Sequence, residues 1–254
     1  MSFEFLSLKC LLVCTAYLAA GIIDAVCGGG GLITVPALVA IGVPAHLAVG
    51  TNQCSALPGG LASLFIFAKN RKIAYGSGII AAAAAILGGM LGARLNLLIP
   101  EIYLKRVMTV LTPLLALLLF MKKDAGEDDL SGSIPKVRAA ILSAVIGLTV
   151  GTYQGFYGPG AGTLYVLAFA FIIKLGLIKA SGTAKLATFF ASVSSSVTYA
   201  FSDVVLWRIV PVATAFYILG SYFGARLALK NGAKLIRPFM LLVIGALFIT
   251  LIVK

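Results

Sequence analysis

The chain is poor in almost everything that catalysis in water uses. Its 254 residues hold one histidine, His46, eight acidic residues and four cysteines. Without a Ser/His/Asp set or a cluster of metal ligands, hydrolytic and metal-assisted chemistry have nothing to run on. Cys10 and Cys14 share a helix face at i, i+4, but no carboxylate or histidine stands at ligand spacing, so they read as small apolar filler. No Gly-x-x-x-x-Gly-Lys-Ser/Thr loop is present, which removes ATP hydrolysis from the functions expected. Neither an enzyme, a cofactor nor a metal is expected.

Charge is scarce too. Charged residues make up 11% of the chain against roughly a quarter in a soluble domain, while 61% are hydrophobic. Mean hydropathy is +1.08. The chain reads as an all-α polytopic membrane protein. The net charge of +12 comes from Lys and Arg in short turns between apolar runs, where cytoplasmic retention of basic residues explains it without nucleic acid.

What the chain has in abundance is glycine, and it is placed twice. Gly21-Ile-Ile-Asp24-Ala-Val-Cys-Gly28-Gly-Gly-Gly31 leads to Gly50-Thr51-Asn52-Gln53 and then Gly92-Ala-Arg94-Leu. About 130 residues later, Gly151-Thr-Tyr-Gln154-Gly-Phe-Tyr-Gly158-Pro-Gly160-Ala-Gly162 leads to Gly182-Thr183-Ala-Lys185 and Gly224-Ala-Arg226-Leu. Repeated helix-breaking clusters inside apolar segments point to a transporter with its site between related halves.

Apolar runs predict spans over residues 5–25, 32–43, 47–68, 76–98 and 103–121, repeated at 137–153, 163–175, 183–201, 206–229 and 233–253. Leu32–Val43 and Thr163–Leu175 are short and come directly after the glycine clusters, which leaves full crossing and re-entry both open. The expected organisation is an N-terminal repeat over 1–121, a cytoplasmic linker loop over 122–136 and a C-terminal repeat over 137–254, with about eight full spans and two short helices. Five crossings per half put thirteen basic residues on one side and six on the other; four crossings even them out. The inverted repeat is therefore expected, with both termini outside.

The glycine runs let a ligand approach backbone N–H groups, and the start of a following helix favours an anion. Candidate anion-binding residues are Gly28, Gly29, Gly30, Gly31, Gly158 and Gly160, with Thr51, Asn52, Gln53, Thr183 and Lys185 from the next spans. The competing reading of the glycines is tight helix crossing. Lys185 is open to a substrate role or to snorkelling from near a span start. Asp24 is open to pairing with Lys185, to proton or ion coupling, and to capping exposed N–H groups.

The residues Gly21 to Pro36, Gly50-Thr-Asn52 and Gly155-Phe-Tyr-Gly158-Pro-Gly160-Ala-Gly162 resemble the sulfite exporter TauE/SafE family over essentially the whole chain. That resemblance implies a multi-pass permease of the bacterial-type cytoplasmic membrane whose partners are the lipid bilayer and a small anion, such as sulfite, sulfoacetate or a related organosulfur compound. Where many relatives carry Lys and Asp, this chain has Gln53 and Gln154, so the in-span charges are reduced to Asp24 and Lys185. Secondary transport is the leading expectation, and an anion channel with a continuous pore is the alternative.

Overall fold

The computed structural model describes residues 3–100, 102–103, 129–232 and 234. Eight α-helices lie in these residues: α1 (Phe3–Cys27), α2 (Gly31–Ala40), α3 (Ala45–Lys69), α4 (Tyr75–Leu98), α5 (Lys136–Phe156), α6 (Ala161–Phe171), α7 (Leu177–Ala200) and α8 (Val210–Asn231). Apart from Tyr103 and Lys234, the spans expected at 103–121 and 233–253 fall outside the described residues, as do residues 122–128 of the linker loop.

Four helices combine crossing length with strong apolarity: α1 through Cys10–Cys27, α4, α5 and α8. Their outward faces carry exposed apolar side chains, among them Ile79, Leu87 and Leu91 on α4 and Leu219, Phe223 and Leu227 on α8. Such faces need lipid around them. Helices α3 and α7 are just as long, at 25 and 24 residues, but more polar, because their inner faces hold Asn52, Gln53, Lys185 and a set of buried Ser and Thr.

Helices α2 and α6 have 10 and 11 residues. At 1.5 Å per residue each is about 15 Å long, half of a hydrocarbon core of roughly 30 Å. They begin at the glycine breaks. Helix α1 ends into Gly28 at φ +86°, and α5 runs out at Gly158 with φ +95°, left-handed conformations that terminate a helix and favour glycine.

Small residues set the helix pairing. A Cβ on Gly147 would lie 2.9 Å from Ala81 Cα, and one on Gly151 would lie 3.0 Å from Ala85 Cα, so α4 and α5 touch along their backbones. Helices α1 and α8 meet the same way at Gly21 and Gly220. Contacts rise together along both members of this pair: Gly220 packs on Leu18 and Ile22, Gly224 on Ile22 and Ala25. Helix α3 runs with α8, since Thr214 bonds Ser55 and Gly59 packs on Tyr217 and Ser221. Helix α7 runs against α1, since Lys185 meets Asp24 and Ser181 meets Val26.

The boundaries of α7 correct one expectation. The span expected from Thr183 starts at Leu177, so Lys185 sits more than two turns inside the helix and is 2% exposed. It does not snorkel. Lys179 and the Ser181-Gly182 pair look like polar punctuation in sequence, yet Ser181 and Gly182 are buried helical residues.

Candidate functional site

Aligning the two glycine clusters sets an offset of 130 residues, and aligning Gly50-Thr51 with Gly182-Thr183 sets one of 132 for α3 and α7. Under these offsets Asp24 corresponds to Gln154, Gln53 to Lys185, and Thr51 to Thr183.

A central cavity of about 60 Å³ lies where α1, α3, α5, α6 and α7 converge with the start of α2. That is several times the roughly 10–15 Å³ that one water needs. Twelve of its sixteen lining residues form six repeat-related pairs: Asp24 with Gln154, Gly28 with Gly158, Gly31 with Ala161, Ala56 with Thr188, Leu57 with Phe189, and Gly60 with Ser192. The cavity is therefore lined by corresponding sequence positions of the two glycine-marked halves. The remaining four are Asn52, Gln53, Gly162 and Tyr217.

The two glycine breaks hold each other in place. A Cβ on Gly162 would lie 2.5 Å from Gly28 Cα, so only glycine fits on both sides. Thr163 then locks the contact, its N–H donating to the Gly28 carbonyl at 3.3 Å and its hydroxyl to the Cys27 carbonyl at 2.9 Å. Among the described residues, the N–H groups of Gly31 and Gly162 have no backbone acceptor. Both glycines line the cavity, one in the first turn of each short helix, where N–H groups are free and the helix dipole is positive.

Two side chains from corresponding sequence positions reach across to backbone carbonyls of the other half. Lys185 donates to the backbone carbonyl of Asp24, and its Nζ is 3.1 Å from Asp24 Oδ2. Gln53 donates to the backbone carbonyl of Gln154 at 2.6 Å. One junction is an ion pair and the other is neutral. Asp24 and Tyr217 both line the cavity, while Lys185 is not a lining residue. Asn52 is held by the Thr34 hydroxyl, which donates to its Oδ1 at 2.5 Å.

Thr51 and Thr183 lie away from the cavity. Thr183 Oγ1 accepts the Ala74 N–H at 3.0 Å, and Thr51 Oγ1 accepts the Leu206 N–H at 2.9 Å. Ala74 and Leu206 are themselves 132 residues apart, so the latch is made twice. Gly29 and Gly30 belong to the break without lining the cavity, as does Gly160, which caps α6 at φ +78°. Eight of the repeat-paired lining residues are not among those expected from sequence: Gln154, Ala161, Ala56, Leu57, Gly60, Thr188, Phe189 and Ser192. Their signal lies in the repeat offsets, which pair Gln154 with Asp24 and Ala161 with Gly31 and reach the other six one and two turns beyond Gln53 and Lys185.

Comparison with known proteins gives one family. The description "Sulfite exporter TauE/SafE" matches residues 13–251. The chain is 30% identical to a probable membrane transporter protein, ORF9, of Sinorhizobium sp, over 92% of this chain and 88% of that one. It is 31% identical to the probable membrane transporter protein YfcA of Escherichia coli K12, over 88% and 82%. A probable membrane transporter protein of Haemophilus influenzae is 30% identical over 93% and 91%. No solved structure matches the chain.

Proposed function

We propose a mechanism from one premise: the chain belongs to the sulfite exporter TauE/SafE family and is a membrane transporter, not an enzyme. It moves a small anion, a sulfur oxyanion or organosulfonate such as sulfite or sulfoacetate, across the bacterial-type cytoplasmic membrane as a secondary transporter. The observation that carries this reading is the cavity lined by the same positions of both halves. A site lined by both halves is common to them, so an exchange of their conformations opens it first to one side and then to the other.

In this mechanism the repeat is inverted. Helix α3 runs with α1, whereas its equivalent α7 runs against α1. A two-fold axis that reverses a helix lies across it, in the membrane plane. The chain between α1 and α3 must then return across the bilayer, and α2 supplies only half of that path as helix.

The anion's oxygens accept from the free N–H groups of Gly31 and Gly162, with the dipoles of α2 and α6 favouring its charge. Gly28 and Gly158 shape the breaks, supported by Gly29, Gly30 and Gly160, and Asn52 and Gln53 offer polar groups on the wall. Lys185, Thr51 and Thr183 position the framework. Asp24 is the coupling group: taking up a proton removes the one negative charge on the wall as the anion enters.

The test is thermal stability of the purified chain with sulfite, sulfoacetate, taurine, sulfate, acetate and chloride. A ligand that binds only the folded state adds about 2.7 kcal/mol at a hundred times its Kd. Selective stabilisation by a sulfur oxyanion is expected. Absence of a shift with every anion refutes the anion site.

A further inference from the structure

We propose that a basic cavity at one end of the helix bundle holds the phosphate headgroup of an anionic lipid, on the side where the basic turns gather. The proposal stands apart from the central anion site and does not depend on it.

This second cavity, of about 420 Å³, lies between the turn after α3, the start of α7 and the end of α8. Lys72, Lys179 and Lys234 line it, with Asp129 as the one acid among the lining residues. Lys179 and Asp129 pair at 2.7 Å, which leaves the charges of Lys72 and Lys234 in excess. Both of these lysines are exposed, and a flexible four-carbon stem lets each ammonium swing onto a phosphate at the cavity. Leu177, in the first turn of α7, also lines the cavity, so the positive end of that helix dipole adds to the field.

The repeat shows that the fold does not require these lysines. An offset of 132 residues relates α3 to α7 and Gly92-Ala-Arg94 to Gly224-Ala-Arg226; under it, Lys72 corresponds to Val204, Lys179 to Leu47 and Lys234 to Ile102. The other half has an apolar residue at all three places. Retention of basic residues on the cytoplasmic side accounts for charge in these turns, but not for three lysines meeting at one cavity.

Helix α8 favours a lipid over a free phosphate. Leu219, Phe223, Leu227 and Asn231 follow one another at i, i+4 and form one row along the helix. The first three are exposed apolar side chains on a helix of crossing length, and Asn231 lines the cavity. The row leads from the surface where acyl chains lie to the cavity where the headgroup binds. Basic pockets between membrane helices take anionic headgroups in this way.

The experiment is thermal unfolding of the purified full chain in neutral detergent, titrated with phosphatidylglycerol, phosphatidylcholine or inorganic phosphate. Wild type is expected to show a saturable rise in melting temperature with phosphatidylglycerol that phosphatidylcholine does not reproduce. In the triple variant Lys72→Gln, Lys179→Gln, Lys234→Gln, the half-saturating fraction of phosphatidylglycerol should rise at least about tenfold. A control triple, Lys69→Gln, Arg138→Gln, Lys230→Gln, removes the same charge from residues that do not line the cavity and should stay within about twofold of wild type. Equal losses in the two triples overturn the proposal in favour of general surface charge. Stabilisation by inorganic phosphate that the cavity triple abolishes assigns the cavity to the free ion and overturns the lipid. No preference for phosphatidylglycerol over phosphatidylcholine in wild type overturns it as well.

Discussion

Lys185 ties α7 to α1 twice, donating to the Asp24 carbonyl and placing Nζ 3.1 Å from the Asp24 carboxylate, while its repeat partner Gln53 donates to the Gln154 carbonyl and accepts from the Ser192 hydroxyl at 3.4 Å. The neutral junction shows what the fold requires. The charge is an addition in one half.

Lys185→Ala is expected to destabilise by about 3 kcal/mol, the low end of the range for breaking a buried pair, because the Asp24 side chain keeps 24% exposure. Lys185→Gln retains a donor for the carbonyl and should lose less. The double variant Asp24→Gln with Lys185→Gln copies the other junction and should regain most of the loss. Thermal unfolding of wild type and these variants, with Asp24→Gln alone alongside, checks this. A double variant as unstable as the two singles added together would refute it.

Much of this arrangement is legible in the chain. The glycine clusters, their doubling and the short helices after them follow from composition and spacing, and so does the pairing of Asp24 with Lys185 as one of three open readings. Apolarity alone hides the polar walls of the site. Thr51 and Thr183 look like ligands because a hydroxyl in a span must be satisfied; backbone N–H groups of the other half satisfy them, a long-range contact that no local pattern displays. Gly60 and Ser192 look like ordinary packing residues until the repeat is carried forward in register.

The threonine latches give a prediction of their own. Thr51→Val and Thr183→Val each strand one backbone N–H and should cost about 1–3 kcal/mol, with anion affinity within about twofold of wild type. Thermal unfolding and anion titration of each variant check both parts. A selective loss of binding in a variant of unchanged stability would return that threonine to the site.

Glycines on the wall and in the break respond differently to a side chain. A Cβ at Gly30 would meet Tyr217 Oη at 2.6 Å, Ala20 O at 2.7 Å and Asp24 Cβ at 2.8 Å, so Gly30→Ala should cost about 1–3 kcal/mol through overpacking. Gly60 lines the cavity and nothing lies within 4 Å of its added Cβ. Gly60→Ala should match or exceed wild-type stability by up to about 1 kcal/mol. Gly60→Leu should fold and fail to bind anion, as measured by thermal shift with the sulfur oxyanions.

Acid should act first outside the membrane. Lys179 Nζ bonds Asp129 Oδ2 at 2.7 Å, and Ser131 donates to Oδ1 through both its N–H and its hydroxyl. The Lys179 bond, then the Ser131 hydroxyl, hold the Asp129 carboxyl below its usual range. A lowered pKa contributes stability that is fully present above the unfolded value near about 4 and is lost as pH falls through the folded one. Both groups are partly exposed, so the contribution is at most about 1 kcal/mol. Melting temperatures of wild type and Asp129→Asn should differ at neutral pH and converge as pH falls below about 4. A gap that persists in acid would place the effect elsewhere.

Alternating access of a small sulfur oxyanion through the cavity lined by both halves is open to direct measurement by counterflow in proteoliposomes. Vesicles are loaded with unlabelled sulfite or sulfoacetate, and labelled anion is supplied outside. A transporter of this kind gives saturable, transient accumulation of label above equilibrium, accelerated by the internal anion and abolished by Gly60→Leu. Flux that rises linearly with concentration, shows no acceleration from the trans side and survives Gly60→Leu would contradict alternating access and point to a channel.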